Sequence, residues 1–257
     1  MNQSWQRFRF TALGLVLALA AGCVGMVSQA MIAQHLKEAG KFHNYYTKQK
    51  YDTMEESLKA TRDYFNQDLA KVTPLKDPLQ SKALILIPSE SALKDHYEKV
   101  AKGAKEWTDM QMRTQMADYD QMKEKMEKYQ RGNSQFQQIR AQTDENVKRI
   151  YDHSVKTDEL RYEFLVEALK KRHIFQEVGV QKAREMGKGQ PAPPGSGVII
   201  YLVTLTNPAN PMNFQNLWNL KTAGSDEAWL IGSDESVSGW LANVEKTARE
   251  KLKFEKP

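Results

Sequence analysis

From Ala92 to Gln130 the sequence contains no proline and is rich in Lys, Glu, Gln, Met and Ala, so it can form one long helix or two nearly collinear ones. Met112, Met116, Tyr119, Met122, Met126 and Tyr129 recur there at steps of three and four, which lines them up along one side. Arg131-Gly132-Asn133 interrupts the pattern, and Ser134 with Gln137 reads as a capping box that opens a further helix. Phe136, Ile139, Val147 and Ile150, then Leu160, Phe164, Leu165 and Leu169, carry that helix on to about Met186. Two long helices joined by a tight turn predict an antiparallel hairpin. A helix of some forty residues is ~60 Å long, so the hairpin either projects or breaks and folds back. Gly103 and the polar segment 152–159 are the expected places for a break.

The rest of the chain frames this insert. Residues 31–50 are a mixed polar and aromatic stretch, and Tyr51 to Lys71 reads as an amphipathic helix closed by Pro74 and Pro78. The run Ala83-Leu84-Ile85-Leu86-Ile87 before Pro88 has the pattern of a buried strand, and Ser89-Glu90-Ser91 is good helix N-cap chemistry. Residues 187–197, with their glycines and prolines, form a linker. Val198 to Thr206 is the strongest strand by β-branched and aromatic content, followed by strands expected at Phe214–Leu220 and Glu227–Ile231. Gly232-Ser233-Asp234-Glu235 is then expected to cap a last helix from Ser236 to Lys253.

The expected fold is therefore α+β, or α/β, and mostly helical: a small mixed sheet head with a long antiparallel helical hairpin inserted between the first strand and the C-terminal strands. The segments are 1–22 (leader, or anchor to about 30), 23–82 (tether and helix), 83–91 (first strand), 92–186 (hairpin), 187–197 (linker) and 198–257 (C-terminal strands and helix).

The leader gives an address. Arg7 and Arg9 precede a stretch from Phe10 to Val27 that carries no charge, which is the plan of an export signal. Ala21-Gly22-Cys23, after the leucine-rich residues 13–19, resembles the lipobox of bacterial lipoproteins. That resemblance implies cleavage before Cys23, lipid attachment to its thiol and, with Val24 in place of an aspartate, an outer-membrane lipoprotein facing the periplasm. Ala20 stands where leucine is commonest, and Val24 to Gln34 is apolar where a polar tether is usual. Two other fates stay open. Phe10 to Val27 is just long enough to span a bilayer as an uncleaved inner-membrane anchor, and Ser28-Gln29-Ala30 suits an ordinary signal peptidase. Cys23 is the only cysteine, so neither a disulfide framework nor a Cys-based metal site can form.

The formal charge of +5 falls to +3 once Arg7 and Arg9 are removed (35 basic against 32 acidic residues), too mild a balance to argue for nucleic acid. The five histidines stand apart with no metal-ligand spacing, and no nucleophile elbow, Walker loop or dinucleotide fingerprint occurs, so neither a metal nor a cofactor is expected.

Two candidate surfaces remain. If the strands lie parallel, Ser89, Glu90, Asn207, Ser233 and Asp234 at their ends could meet at the carboxyl edge of the sheet and bind a ligand or support hydrolysis. Cap and turn chemistry accounts for the same residue types without a ligand. Met110, Met112, Met116, Met122 and Met126 could grip a protein partner, or many unfolded clients as a holdase would, or could simply fill a helix–helix core. The expected function is that of a non-enzymatic envelope lipoprotein, held at a membrane and acting on an envelope protein partner.

Overall fold

The computed structural model describes residues 40–132, 134–185, 197–207, 210–232 and 236–252. Cys23, the leader, Ser233, Asp234 and nearly all of the linker lie outside the described residues. The described chain is mixed α+β, with five helices, a five-stranded mixed sheet and a small two-stranded sheet.

The first element is a short ladder of β1 (Phe42–His43) and β2 (Lys50–Tyr51), within a stretch whose sequence shows no strand pattern. Helix α1 (Met54–Ala70) follows and is opened by a capping box: Thr53 Oγ1 accepts from Glu56 N at 3.2 Å, and Glu56 Oε2 accepts from Thr53 N at 3.2 Å. Strand β3 (Leu79–Pro88) leads into α2 (Glu90–Gln115), α3 (Tyr119–Arg131) and α4 (Ser134–Arg172). Strands β4 (Phe175–Ala183), β5 (Val198–Asn207), β6 (Asn210–Thr222) and β7 (Ala228–Gly232) and helix α5 (Val237–Lys251) complete the chain.

Three expectations are corrected. The helix expected to reach Met186 stops at Arg172, because His173 turns into the left-handed region (φ 57°) and the chain leaves as β4. Residues 92–186 are therefore not wholly helical. The long helical region breaks at 116–118, while Gly103 and residues 152–159 lie within continuous helix. Gln137 donates through Nε2 to the Arg131 carbonyl at 2.7 Å, closing the end of α3. Ser236 itself caps α5, its Oγ accepting from Gly239 N at 3.1 Å.

The large sheet has the order β4-β3-β5-β6-β7. Strands β4, β3 and β5 run parallel, and β6 is antiparallel to both β5 and β7. The chain divides into two compact units, residues 1–60 with 101–154 and residues 61–100 with 155–257. The second unit holds the sheet and most of the core, with Ile85, Ile199, Ile200 and Leu220 fully buried. Trp240 of α5 packs on Trp218 of β6 (ring centroids 5.3 Å), which also meets Tyr162 edge-on at 6.0 Å. Phe65 stacks on Phe164 at 5.3 Å, and Arg172 pairs with Glu245 at 3.0 Å. Gly197 starts β5 where a Cβ would stand 2.9 Å from the Lys82 carbonyl oxygen, so the linker must end on a residue without a side chain.

Candidate functional site

The strand directions meet the condition for a shared carboxyl edge, since β3, β5 and β7 all point the same way. The register then separates the candidates. Leu86 lies opposite Tyr201, and Leu202, Trp218 and Gly232 share one level, so β3 and β7 end together with two strands between them. That gap is three strand spacings, about 14 Å. β5 continues from that level to Asn207, a further ~15 Å along the strand.

Ser89 and Glu90 sit together at the start of α2, and helix chemistry occupies both. Ser89 Oγ accepts from Ala92 N at 3.2 Å and lies 3.0 Å from Ser91 Oγ, while its backbone N–H donates to the Ala183 carbonyl at 2.9 Å. Glu90 pairs with Lys94 at 2.9 Å and Lys156 at 3.3 Å, and hydrogen bonds from these two ammonium groups hold its carboxyl below the ordinary range. Asn207 ends β5 apart from them. Lys156 also meets Glu159 at 2.8 Å, so this corner of the molecule is an exposed ion-pair cluster with its charges matched.

Sequence reasoning missed a buried polar chain in the first unit. Asn44, Ser57 and His153 are buried side by side. Asn44 Oδ1 accepts from Tyr46 N (2.9 Å) and Thr47 N (3.0 Å), and its Nδ2 donates to the Ser57 carbonyl (2.8 Å) and Oγ (3.1 Å). Ser57 Oγ lies 2.8 Å from His153 Nε2. With Asn44 donating to Oγ, the Ser57 hydroxyl can donate to an unprotonated Nε2, which suits a neutral imidazole. Burial pushes His153 down to about 4. The spacing is that of a serine beside its general base, but Ser57 is 0% exposed, so no substrate reaches Oγ. The chain is a structural tie that holds the β1 segment to α1 and α4, with Phe42 against the His153 ring at 5.2 Å and Arg149 over Phe42 at 4.9 Å. No local motif announces it, since Ser57 and His153 are 96 residues apart.

In the second unit Tyr97 donates to Asp158 at 2.7 Å, and burial raises that carboxyl above its usual range. The pair ties α2 to α4.

The methionine row lies around the break between α2 and α3. The turn at 116–118 is closed by Met116 N to Met112 O (2.9 Å) and Tyr119 N to Met116 O (3.2 Å). Arg113 holds Asp120 through two bonds (2.9 and 3.1 Å), and Asp109 accepts from Tyr119 Oη (2.9 Å) and Lys123 Nζ (2.6 Å). Lys123 keeps Asp109 below the ordinary carboxylate range. These polar ties brace the turn. Met112, Met116, Met122 and Met126 are each half-buried, and Met110 is 50% exposed. From Ala101 to Asp152 no described side chain reaches core burial.

Among the described residues no group of three or more His, Cys, Asp and Glu side chains could hold a metal ion, and no helix is long and apolar enough to cross a membrane. Comparisons with protein-family models, curated proteins and solved structures give no significant match.

Proposed function

We propose that this chain is a non-enzymatic lipoprotein of the bacterial cell envelope, held at the outer membrane through Cys23 and facing the periplasm. It acts there by binding a protein partner with the helices of residues 101–152, which run as an antiparallel hairpin. The observation that carries this reading is a set of methionines that are only partly covered, with Met110 50% exposed, in a segment where no described side chain is fully buried. Thioethers at a surface adapt to the shape of an apolar partner, and Met112, Met116, Met122 and Met126 stand on and beside the 116–118 turn that the Arg113–Asp120 and Asp109–Lys123 ion pairs brace. The lipobox-like Ala21-Gly22-Cys23 supports the address.

A ligand-binding or hydrolytic site at the strand ends is the weaker reading, because Ser89 and Glu90 are already engaged in capping and ion pairs. A holdase would use the same methionines but bind many unfolded chains weakly. The test combines the intact mass of the membrane-extracted protein, with a Cys23→Ala variant beside it, and purification from cross-linked membranes. Loss of residues 1–22 with added lipid, an unprocessed variant and one dominant protein partner are expected. An unmodified full-length mass, or capture of lipid alone, would overturn the reading.

A further inference from the structure

We infer that the turn between α2 and α3 builds a thioether site for a soft monovalent cation, Cu(I) or its surrogate Ag(I), with Met112, Met116, Met122 and Met126 as its ligands. The inference concerns the same methionines as the proposed partner surface but stands without it, since metal binding is read on the chain alone.

Three observations carry it. The first is that the chain folds back at 116–118. Asp109 holds Lys123 Nζ at 2.6 Å and Tyr119 Oη at 2.9 Å, and Arg113 Nε lies 2.9 Å from Asp120 Oδ1. In one straight helix, residues fourteen apart stand ~21 Å apart, beyond the combined reach of a lysine and an aspartate. α3 is therefore turned so that the Asp109 side of α2 faces the Tyr119 and Lys123 side of α3.

The second observation is where the methionines stand. Met112 and Met116 follow Asp109 at spacings of three and seven, and the bond from Met116 N to Met112 O (2.9 Å) carries the helical turn through Met116. Met122 and Met126 follow Tyr119 at the same spacings, with Lys123 between them. Two thioethers thus lie on each of the two sides that the polar ties bring together. Burial agrees: all four methionines are half-buried, while Gln115, Ala117, Asp118, Gln121, Glu124 and Lys125 among them are exposed. Met110, off this stripe, is 50% exposed.

The third observation is the chemistry of the donors. Thioethers are neutral and soft, a donor type that selects Cu(I) over hard cations. Harder donors do not compete at the turn, because Asp109 is taken by Lys123 and Tyr119, and Asp120 by Arg113. These paired charges also cancel, so an arriving cation meets no net positive charge from them. A thioether carries no proton to lose. Unlike a thiolate or imidazole site, this one keeps its affinity in mild acid.

The test uses the purified full chain in detergent, in a Cys23→Ala background that removes its only thiol. Cu(I) is offered without oxygen as its bicinchoninate complex. The expected result is one Cu(I) withdrawn per chain, a first shell of sulfur by X-ray absorption, and an affinity that changes less than threefold between pH 7 and pH 5. Met112→Leu, Met116→Leu, Met122→Leu and Met126→Leu together should weaken binding at least tenfold, whereas Met54→Leu of α1 should leave it unchanged. If the fourfold variant does not fold, the absorption spectrum of the methionine parent decides: a sulfur shell supports the site and a nitrogen or oxygen shell overturns it. No Cu(I) withdrawn, a tenfold fall in affinity at pH 5, or unchanged binding in a folded fourfold variant would also overturn it. A chain that binds Cu(I) but no protein partner keeps this inference and removes the proposed function.

Discussion

The strands of the second unit and the helices of residues 101–152 use apolar residues in opposite ways. In β3 and β5 they sit next to each other in sequence and are buried on both faces of a sheet, as Ile85, Leu86, Ile199 and Ile200 show. From Ala101 to Arg131 they are spaced every three or four residues among Lys, Glu and Gln, and none of those described is fully buried. The first arrangement excludes water and fixes the fold, while the second leaves its side chains only partly covered. What separates them is spacing: a contiguous apolar run is buried on both faces of a strand, while apolar residues three or four apart among charges leave a helix partly wet.

Substitutions should break that contrast by decreasing amounts. Ile85→Ala, at a fully buried site in the centre of the sheet, is expected to cost about 2–5 kcal/mol in denaturant unfolding. A cost under about 1 kcal/mol would mean that the sheet core is looser than its burial implies.

Acid should act next, through His153. Its folded pKa of about 4 lies below the unfolded 6.5, so the unfolded chain binds the extra proton between these values. Stability is fully present above pH 6.5 and falls as pH drops towards 4, by roughly 2–3 kcal/mol for this group. His96 is also pushed down to about 4, by burial first and Lys99 second, and adds to the same slope. Melting curves from pH 7 to 4 should therefore flatten in part in His153→Gln and further in the double variant with His96→Gln. An unchanged slope would remove the buried tie from the account.

Ser89→Ala is expected to cost about 1 kcal/mol by removing the α2 cap. A much larger loss, or a loss of function without loss of stability, would return Ser89 to the candidate ligand site.

The elements that could be read from the sequence are those whose signal is local. β5 carries a dense β-branched run, β3 a contiguous apolar one, β6 and β7 carry tryptophan among apolar neighbours, and α1 and α5 carry amphipathic repeats with threonine or serine caps. β4 escaped because it is an edge strand: Gln176, Glu177 and Lys182 face water and look helix-friendly, and the preceding helix ends on His173 in place of a glycine. The Asn44–Ser57–His153 chain escaped because each member is polar and ordinary until folding brings them together. Of the strand-end candidates, the common direction of the strands was foreseeable from their order, whereas their separation depends on how far β5 outruns β3, which no composition encodes.

Whether these methionines bind a partner is decided by replacing Met112, Met116, Met122 and Met126 together by glutamine, a good helix former of similar length. Melting of the full chain is then compared with the proteins it retains from cross-linked membranes. The account predicts a melting temperature within a few degrees of the parent and loss of the dominant partner. A drop comparable to that of Ile85→Ala, or a partner still retained, would show that the methionines serve as core and that function lies elsewhere.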